Sequence, residues 1–472
     1  MTNRYPFNKW GLFLLLLVVL VPSCKPSSTV EFIKVNDPVI ALTHIRVIDG
    51  TGNASREDQT IIIDNGRIVA IGPTAGTAVP ASATSLDLSG HTAMPGLVGM
   101  HNHLFYAIEG GERYLGAYES FAPLYLASGV TTIRTGGAAK LTTDLSIKKA
   151  VDEGRLPGPK IHLTSPYINK NPRQSLNLQE TINQINAWAD QGITSLKIYE
   201  HINRTELTSI VEAAHKRGLK VTGHTCAVGF VEAAQAGIDN LEHGLAVDTE
   251  FFSNKKADEC PERSKWLPEL ARIDVKSEPV QRMIRELVSR RVAVTSTLAI
   301  FEAFIAERFE MDPRMRDVLS EDAFAACSRH LARQKADGRW SKIWEPVLKK
   351  EMEFEREFVK AGGLLMTGVD PTGWGGVIAG FGDQRNLELL VEAGFSPEEA
   401  IRIATLNGAT FLGEDTRIGT LAAGKQADIM IVRGNPATNI RDVRNVQLVF
   451  KDGVGYDSPK LIESIRGLVG EK

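Results

Sequence analysis

Between residues 97 and 370, apolar strand-like runs alternate with amphipathic helical ones, and this alternation leaves few architectures open. Eight runs read as strands, at 97–103, 130–134, 160–164, 193–199, 220–224, 240–243, 292–297 and 364–370. Segments such as 204–217 and 278–290 separate them and carry apolar residues at helical spacing. Strands alternating with helices point to a parallel α/β architecture, and eight such units predict a (β/α)8 TIM-like barrel. In that barrel the reactive side chains belong at the C-terminal ends of the strands.

The flanks read differently. Ala41 to Ile48 alternates in polarity, Thr60 to Ile63 runs into an Asp64-Asn65-Gly66 turn, and Arg67 to Gly72 returns as a hairpin partner. These few strands cannot bury a core alone. Strands at Ala427–Val432 and Val446–Phe450 are the expected completion, giving a small composite β-sandwich built from both ends of the chain. The expected boundaries are 40–95 and 412–472 for the two parts of the sandwich and 96–411 for the barrel.

At the N-terminus, Arg4 and Lys9 precede an apolar run from Trp10 to Val21 that is short for a membrane span and suits a signal peptide. It ends in Val21-Pro22-Ser23-Cys24, which resembles a bacterial lipobox. Residues 1–24 therefore read as a lipoprotein leader, Cys24 as the lipidated residue, and 25–39 as a tether. The expectation is an exported protein, lipid-anchored to a bacterial membrane and facing the periplasm or exterior. A net charge of −3 without a basic run argues against a nucleic-acid binder. Cys226, Cys260 and Cys327 have no zinc or redox spacing; one disulfide is open to them, and the sequence does not choose the pair.

The candidate site residues fall at the expected strand ends. His101 and His103 close the first strand and, two apart, point the same way. Lys197 lies near the end of the fourth strand, His224 closes the fifth, His243 the sixth and Asp370 the eighth. Imidazoles and a carboxylate converging on one mouth are metal-ligand chemistry. A lysine between Leu196 and Ile198 is costly to bury as an ammonium. Arg134, Tyr199 and His201 are the candidates for substrate contact, and Trp374 with its neighbouring glycines is expected to line the pocket wall. The polar segment 248–276 and the charged segment 301–360 are candidates for a lid.

This set resembles the amidohydrolase superfamily in its binuclear form, most similar to the imidazolonepropionase-like and prolidase-like branch. Met94-Pro95-Gly96-Leu97, Gly129-Val130-Thr131-Thr132, the run Ala236 to His243, Ala404 to Ala409 and Gly424 to Asp428 carry the resemblance. It implies two divalent ions, zinc by ligand type, with manganese or iron as alternatives. His101, His103 and Asp370 would hold one ion and His224 and His243 the other. Carbon dioxide would convert Lys197 to a bridging carbamate. The resemblance further implies water activated between the ions, with Asp370 as general base and then acid. Thr135 departs from the pattern, since an acidic residue is frequent there in relatives.

The leading expectation is a hydrolase of an amide C–N bond in a small molecule such as a dipeptide, Xaa-Pro dipeptides included, or an N-acyl amino acid. A cyclic-amide hydrolase or mononuclear deaminase is the second reading, although the glutamate that deaminases carry after the strand-five histidine is absent from Thr225 to Gly229. A related esterase or lactonase is a further variant. A non-catalytic ligand-binding lipoprotein is the third reading, opposed by the filled ligand set. A second copy of the chain is a further candidate partner.

Overall fold

The structure, a computed structural model, describes residues 29–109, 113–117, 119–372 and 374–471. The expected leader and Cys24 lie outside the described residues. Among the described residues no helix is long and apolar enough to cross a membrane.

Strands from the two ends of the chain share one hydrogen-bonded sheet of nine strands. Its join is antiparallel: His91–Pro95 pairs with Ile429–Arg433, setting Met94 against Met430 and Ala93 against Ile431. Alternation along these strands divides their side chains between two cores. Ala93, Ile429 and Ile431 join Ile40, Leu42 and Ile61 in the sheet's own apolar cluster. Met94, Met430 and Val432 face the other way, into the large core of the parallel α/β body. The seam is therefore apolar on both sides, and this holds the companion sheet against the body that carries the site.

In that body, Leu97–Asn102, Val130–Thr135 and Lys160–His162 form one parallel sheet. Thr164–Ile168, Ser195–Ile198, Lys220–Gly223, Asn240–Glu242, Ala293–Ser296 and Leu365–Thr367 form a second, also parallel. The expected third strand, 160–164, is thus two segments broken at Leu163. The break has a local cause. The Thr135 hydroxyl accepts the Thr164 N–H at 2.8 Å, while Leu163 O accepts from Thr194 N at 2.8 Å. Side-chain and cross-strand partners replace the ladder at that point.

The helices between strands follow their apolar spacing. Arg204–Lys216 buries Leu207, Ile210, Val211 and Ala214, and Asn203 with Glu206 closes its first turn as a reciprocal cap. Glu278–Ser289 buries Val280, Met283, Ile284 and Leu287 with the same spacing. A disulfide joins Cys226 to Cys260 across 34 residues of sequence and leaves Cys327 free and buried. A closed loop of that length stabilises by about 3–4 kcal/mol in the chain-entropy account.

Candidate active site

The first strand delivers His101 and His103 into a space that tolerates no extra atom. A Cβ on Gly136 would meet His101 Cδ2 at 2.3 Å, and one on Gly368 would meet His101 Cβ at 2.3 Å. Both are far below van der Waals contact, so the two glycines set where the His101 ring lies. Tyr125 accepts the His103 N–H at 3.3 Å and donates its own hydroxyl to His103 O at 3.0 Å.

His243 and Asp370 sit just past their strands with left-handed backbones, φ 69° and φ 46°. Non-glycine residues reach that region at a cost of about 1–3 kcal/mol each. Here it turns both side chains toward His101. The Asp370 N–H also donates to His101 O at 2.9 Å, tying the end of the last parallel strand to the first.

The ligand atoms converge. Asp370 Oδ1 lies 3.3 Å from His103 Nε2 and 3.7 Å from His101 Nε2, and Asp370 Oδ2 lies 3.7 Å from His243 Nδ1. The His101 and His243 ring centres are 4.5 Å apart, and His224 follows 4.7 Å beyond His243. His101, His243 and Asp370 offer three atoms within 4.8 Å of one another, a spacing one cation could bridge. His103 and His224 extend this cluster on either side. All six expected ligands line one cavity of about 650 Å³.

Their surroundings set the protonation states. His101 Nδ1–H donates to Glu242 Oε2 at 2.8 Å, and His103 Nδ1–H donates to Gly137 O at 3.1 Å, which leaves each Nε2 lone pair for a ligand. Burial, with the Lys197 charge, lowers the His101 pKa. Burial likewise drives His224 and His243 well below the usual imidazole value, so these rings are neutral near pH 7. Burial works against ionising Asp370, yet the charge that the neighbouring imidazoles gain as pH falls holds its carboxyl well below the usual range, so it is ionised near pH 7. The Asp370 oxygen also accepts from the Thr372 hydroxyl at 2.8 Å.

Lys197 is the anomaly. It is 1% exposed, and its Nζ has no hydrogen-bond partner among the described residues. Burial pulls its pKa down to about 8, although Glu242 and Asp370 favour the charge. A buried, unpartnered amine among neutral imidazoles fits a carbamate that would gain cations as partners. The donor set as a whole (four imidazoles, a carboxylate and this amine) fits a pair of divalent ions.

Of the three substrate candidates, Tyr199 lines the cavity, with its ring 5.0 Å from His224. Arg134 is corrected. It is fully buried, with Nη2 2.6 Å from Glu242 Oε1 and 2.8 Å from Asn240 Oδ1, and its Nε–H donates to Met100 O at 2.9 Å. It neutralises Glu242, which in turn orients His101, and it does not reach the cavity. His201 does not line the cavity either; its backbone N–H holds the side chain of Asn169, which does. Trp374 is buried in the wall of an adjoining cavity, its indole donating to Ala303 O at 2.8 Å, and Gly373 lies outside the described residues.

Glu242 was not legible as a functional residue, although its alternation with Asn240 on a short strand marks two polar groups on one buried face. The two segments read as lid candidates supply much of the cavity wall: Arg263 and Trp266 from the first, Phe301, Phe304 and Trp344 from the second. Trp344 stacks on Phe301 with ring centres 5.3 Å apart.

Residues 92–454 match the amidohydrolase family, and the chain belongs to that family. Among curated proteins it is 33% identical over 116 residues to imidazolonepropionase of Mycolicibacterium smegmatis, a match covering 25% of this chain and 26% of that protein. It is 26% identical over 180 residues to enamidase of Eubacterium barkeri, covering 35% and 44% of the two chains. These matches span less than half the length of either relative. Among solved structures it superposes on a Xaa-Pro dipeptidase with bound methionine in the active site (TM-score 0.65, 21% identity, 89% of this chain and 100% of that one). It also superposes on phenylurea hydrolase B (TM-score 0.67, 19% identity, 92% and 100%).

Proposed function

We propose that the protein is an exported, metal-dependent hydrolase of an amide C–N bond in a small molecule, a dipeptide or N-acyl amino acid. One observation carries this reading: neutral imidazoles, an ionised Asp370 and an unpartnered Lys197 Nζ meet at one cavity of about 650 Å³. Likeness to the fold of a Xaa-Pro dipeptidase supports the substrate class. We take the two parallel sheets as one (β/α)8 barrel; the Asp370–His101 backbone bond and the chain running through Leu163 support its closure. The nine-stranded sheet, wrapped on its own apolar cluster, is the composite β-sandwich of this reading.

His101, His103 and Asp370 would hold one ion and His224 and His243 a second, with Lys197, as a carbamate, between them. Bound there, divalent ions supply Lewis acidity and lower the pKa of water toward about 7. Asp370 accepts the proton of the attacking water and returns it to the departing nitrogen. The Tyr199 phenol is raised above its ordinary pKa by burial and by Glu200, so it stays protonated and can donate to the carbonyl oxygen. Aromatic side chains around the mouth exclude bulk water from the exchange.

Carbamate formation consumes the neutral amine, and burial sets Lys197 at about 8. Below that pH the neutral fraction falls tenfold per unit; above it the fraction saturates. At fixed dissolved carbon dioxide, the initial rate of carbamate formation in metal-free protein, followed by 13C NMR, should rise about tenfold per pH unit up to about 8 and then level off. A rate still climbing tenfold per unit at pH 9–10 would mean an ordinary solvated lysine. The hydrolase reading is tested by assaying linear dipeptides and N-acyl amino acids beside cyclic amides, before and after chelation and zinc return. Zinc-restored cleavage of linear amides supports it; ring opening alone would move the protein to the cyclic-amide class. Export with lipidation at Cys24 is supported by the Cys226–Cys260 disulfide, since such bonds persist in oxidising compartments. The mass of the mature N-terminus tests it.

A further inference from the structure

The site cavity has one permanently charged cation among its described lining residues, Arg263. Its guanidinium is half-exposed and lies 3.4 Å from Glu200 Oε1, longer than the 2.7–2.9 Å of a strong charge-assisted bond. The same Glu200 oxygen lies 3.7 Å from His224 Nε2. One carboxylate oxygen thus spans the gap between Arg263 and the histidine cluster. A substrate whose free carboxylate replaced that of Glu200 at Arg263 would have its amide bond beside the cluster.

Arg263 also borders a second cavity of about 450 Å³, which shares Phe304 and Trp344 with the first. Beyond these two, one part of its wall is aromatic, Trp340, Trp374 and His330, the last stacked on Trp374 with ring centres 5.2 Å apart, and the rest is polar, from Arg333, Gln334, Asp337 and Ser341. A carboxylate held by Arg263 therefore sits at the junction of a reactive cavity and one with an aromatic wall and a polar rim. The backbone that carries Arg263 is anchored from behind. Arg263 opens the helix Arg263–Leu270, three residues after Cys260, whose disulfide partner Cys226 lies two residues past His224. Lys255 adds bonds from its Nζ to Cys226 O at 2.6 Å and Ala227 O at 2.9 Å. Such anchoring leaves only the side chain itself to be ordered on binding.

We propose that Arg263 is the specificity residue of the site: it binds the free carboxylate of the amino-acid half of the substrate, and the aromatic wall beyond it takes that residue's side chain. The preferred substrates are then N-acyl amino acids and dipeptides ending in a large aromatic residue. This deepens the hydrolase reading and rests on it.

The test uses the full zinc-loaded protein with N-acetyl-L-phenylalanine, N-acetyl-L-alanine and N-acetyl-L-phenylalaninamide as substrates. Losing a charge-assisted contact should raise KM for N-acetyl-L-phenylalanine about 10–100-fold in Arg263→Met, while kcat changes much less. Arg263→Lys should fall between, and the neutral amide should not register either change. Phenylalanine should be favoured over alanine about 10-fold or more, a preference that shrinks in Trp340→Ala. Binding is read separately, by tryptophan fluorescence during titration with L-phenylalanine and L-phenylalaninamide. Binding of the acid over the amide, lost in Arg263→Met, supports the inference even if no acetyl substrate is cleaved, an outcome that would instead count against the hydrolase reading. Equal binding of acid and amide, or KM values unmoved in Arg263→Met, would overturn it.

Discussion

Glu242→Ala is expected to destabilise the fold by about 3–5 kcal/mol and to cripple the site at the same time. Glu242 and Arg134 are both fully buried and 2.6 Å apart, so removing the carboxylate strands a guanidinium with no exposure to water. The other groups at Arg134, Asn240 Oδ1 and Met100 O, are neutral and cannot balance it. The second effect comes through His101, whose Nδ1–H loses its acceptor at 2.8 Å and with it the orientation of its ligand nitrogen. Loss of such a partner costs about 10–100-fold in metal affinity. The double change Arg134→Met with Glu242→Leu separates the two. It should recover most of the unfolding free energy in urea, because an apolar pair replaces a buried ion pair at little cost. Its metal affinity should stay low. Full recovery of both would show that His101 is held by packing alone, which the two flanking glycines would then explain.

Asp370→Asn is expected to lower kcat by about 10²–10⁴-fold with the secondary structure intact. An amide cannot take a proton from the attacking water, and its oxygen is a weaker ligand than the carboxylate facing His101, His103 and His243. The residue is three positions beyond the last parallel strand, with its N–H on His101 O, an anchor that asparagine preserves. Circular dichroism should therefore match the parent while turnover collapses. Turnover within tenfold of the parent would remove Asp370 from proton transfer.

Much of this site was legible because its residues obey a period of two. The strands betray themselves by apolar alternation, and a histidine or aspartate where such a run stops is placed at one mouth by the topology alone. Parity along a strand gives the face of a side chain and not its depth. Arg134 shows the difference: one residue from its strand's end, it looks able to reach a substrate, but its counterion Glu242 is 108 positions away in the sequence and draws it inward. Glu242 is illegible for the same reason, since nothing local marks its partners, Arg134 and the Thr222 hydroxyl. The Cys226–Cys260 pair was one of several open to three cysteines until folding brought their Cα atoms to 4.9 Å. The aromatic wall comes from helices that are neighbours of the site only in space. Phe301 and Trp344 lie far apart in the sequence, yet their rings are 15° from parallel. The break at Leu163 depends on a hydroxyl from the neighbouring strand, a signal no single strand contains.

Metal content per chain most directly tests the proposed pair of ions that Lys197, as a carbamate, would help to hold. Elemental analysis of protein lacking residues 1–24 should give about two divalent ions per chain, and Lys197→Ala should lose metal while keeping its fold. A single ion per chain, unchanged in Lys197→Ala, would contradict the account.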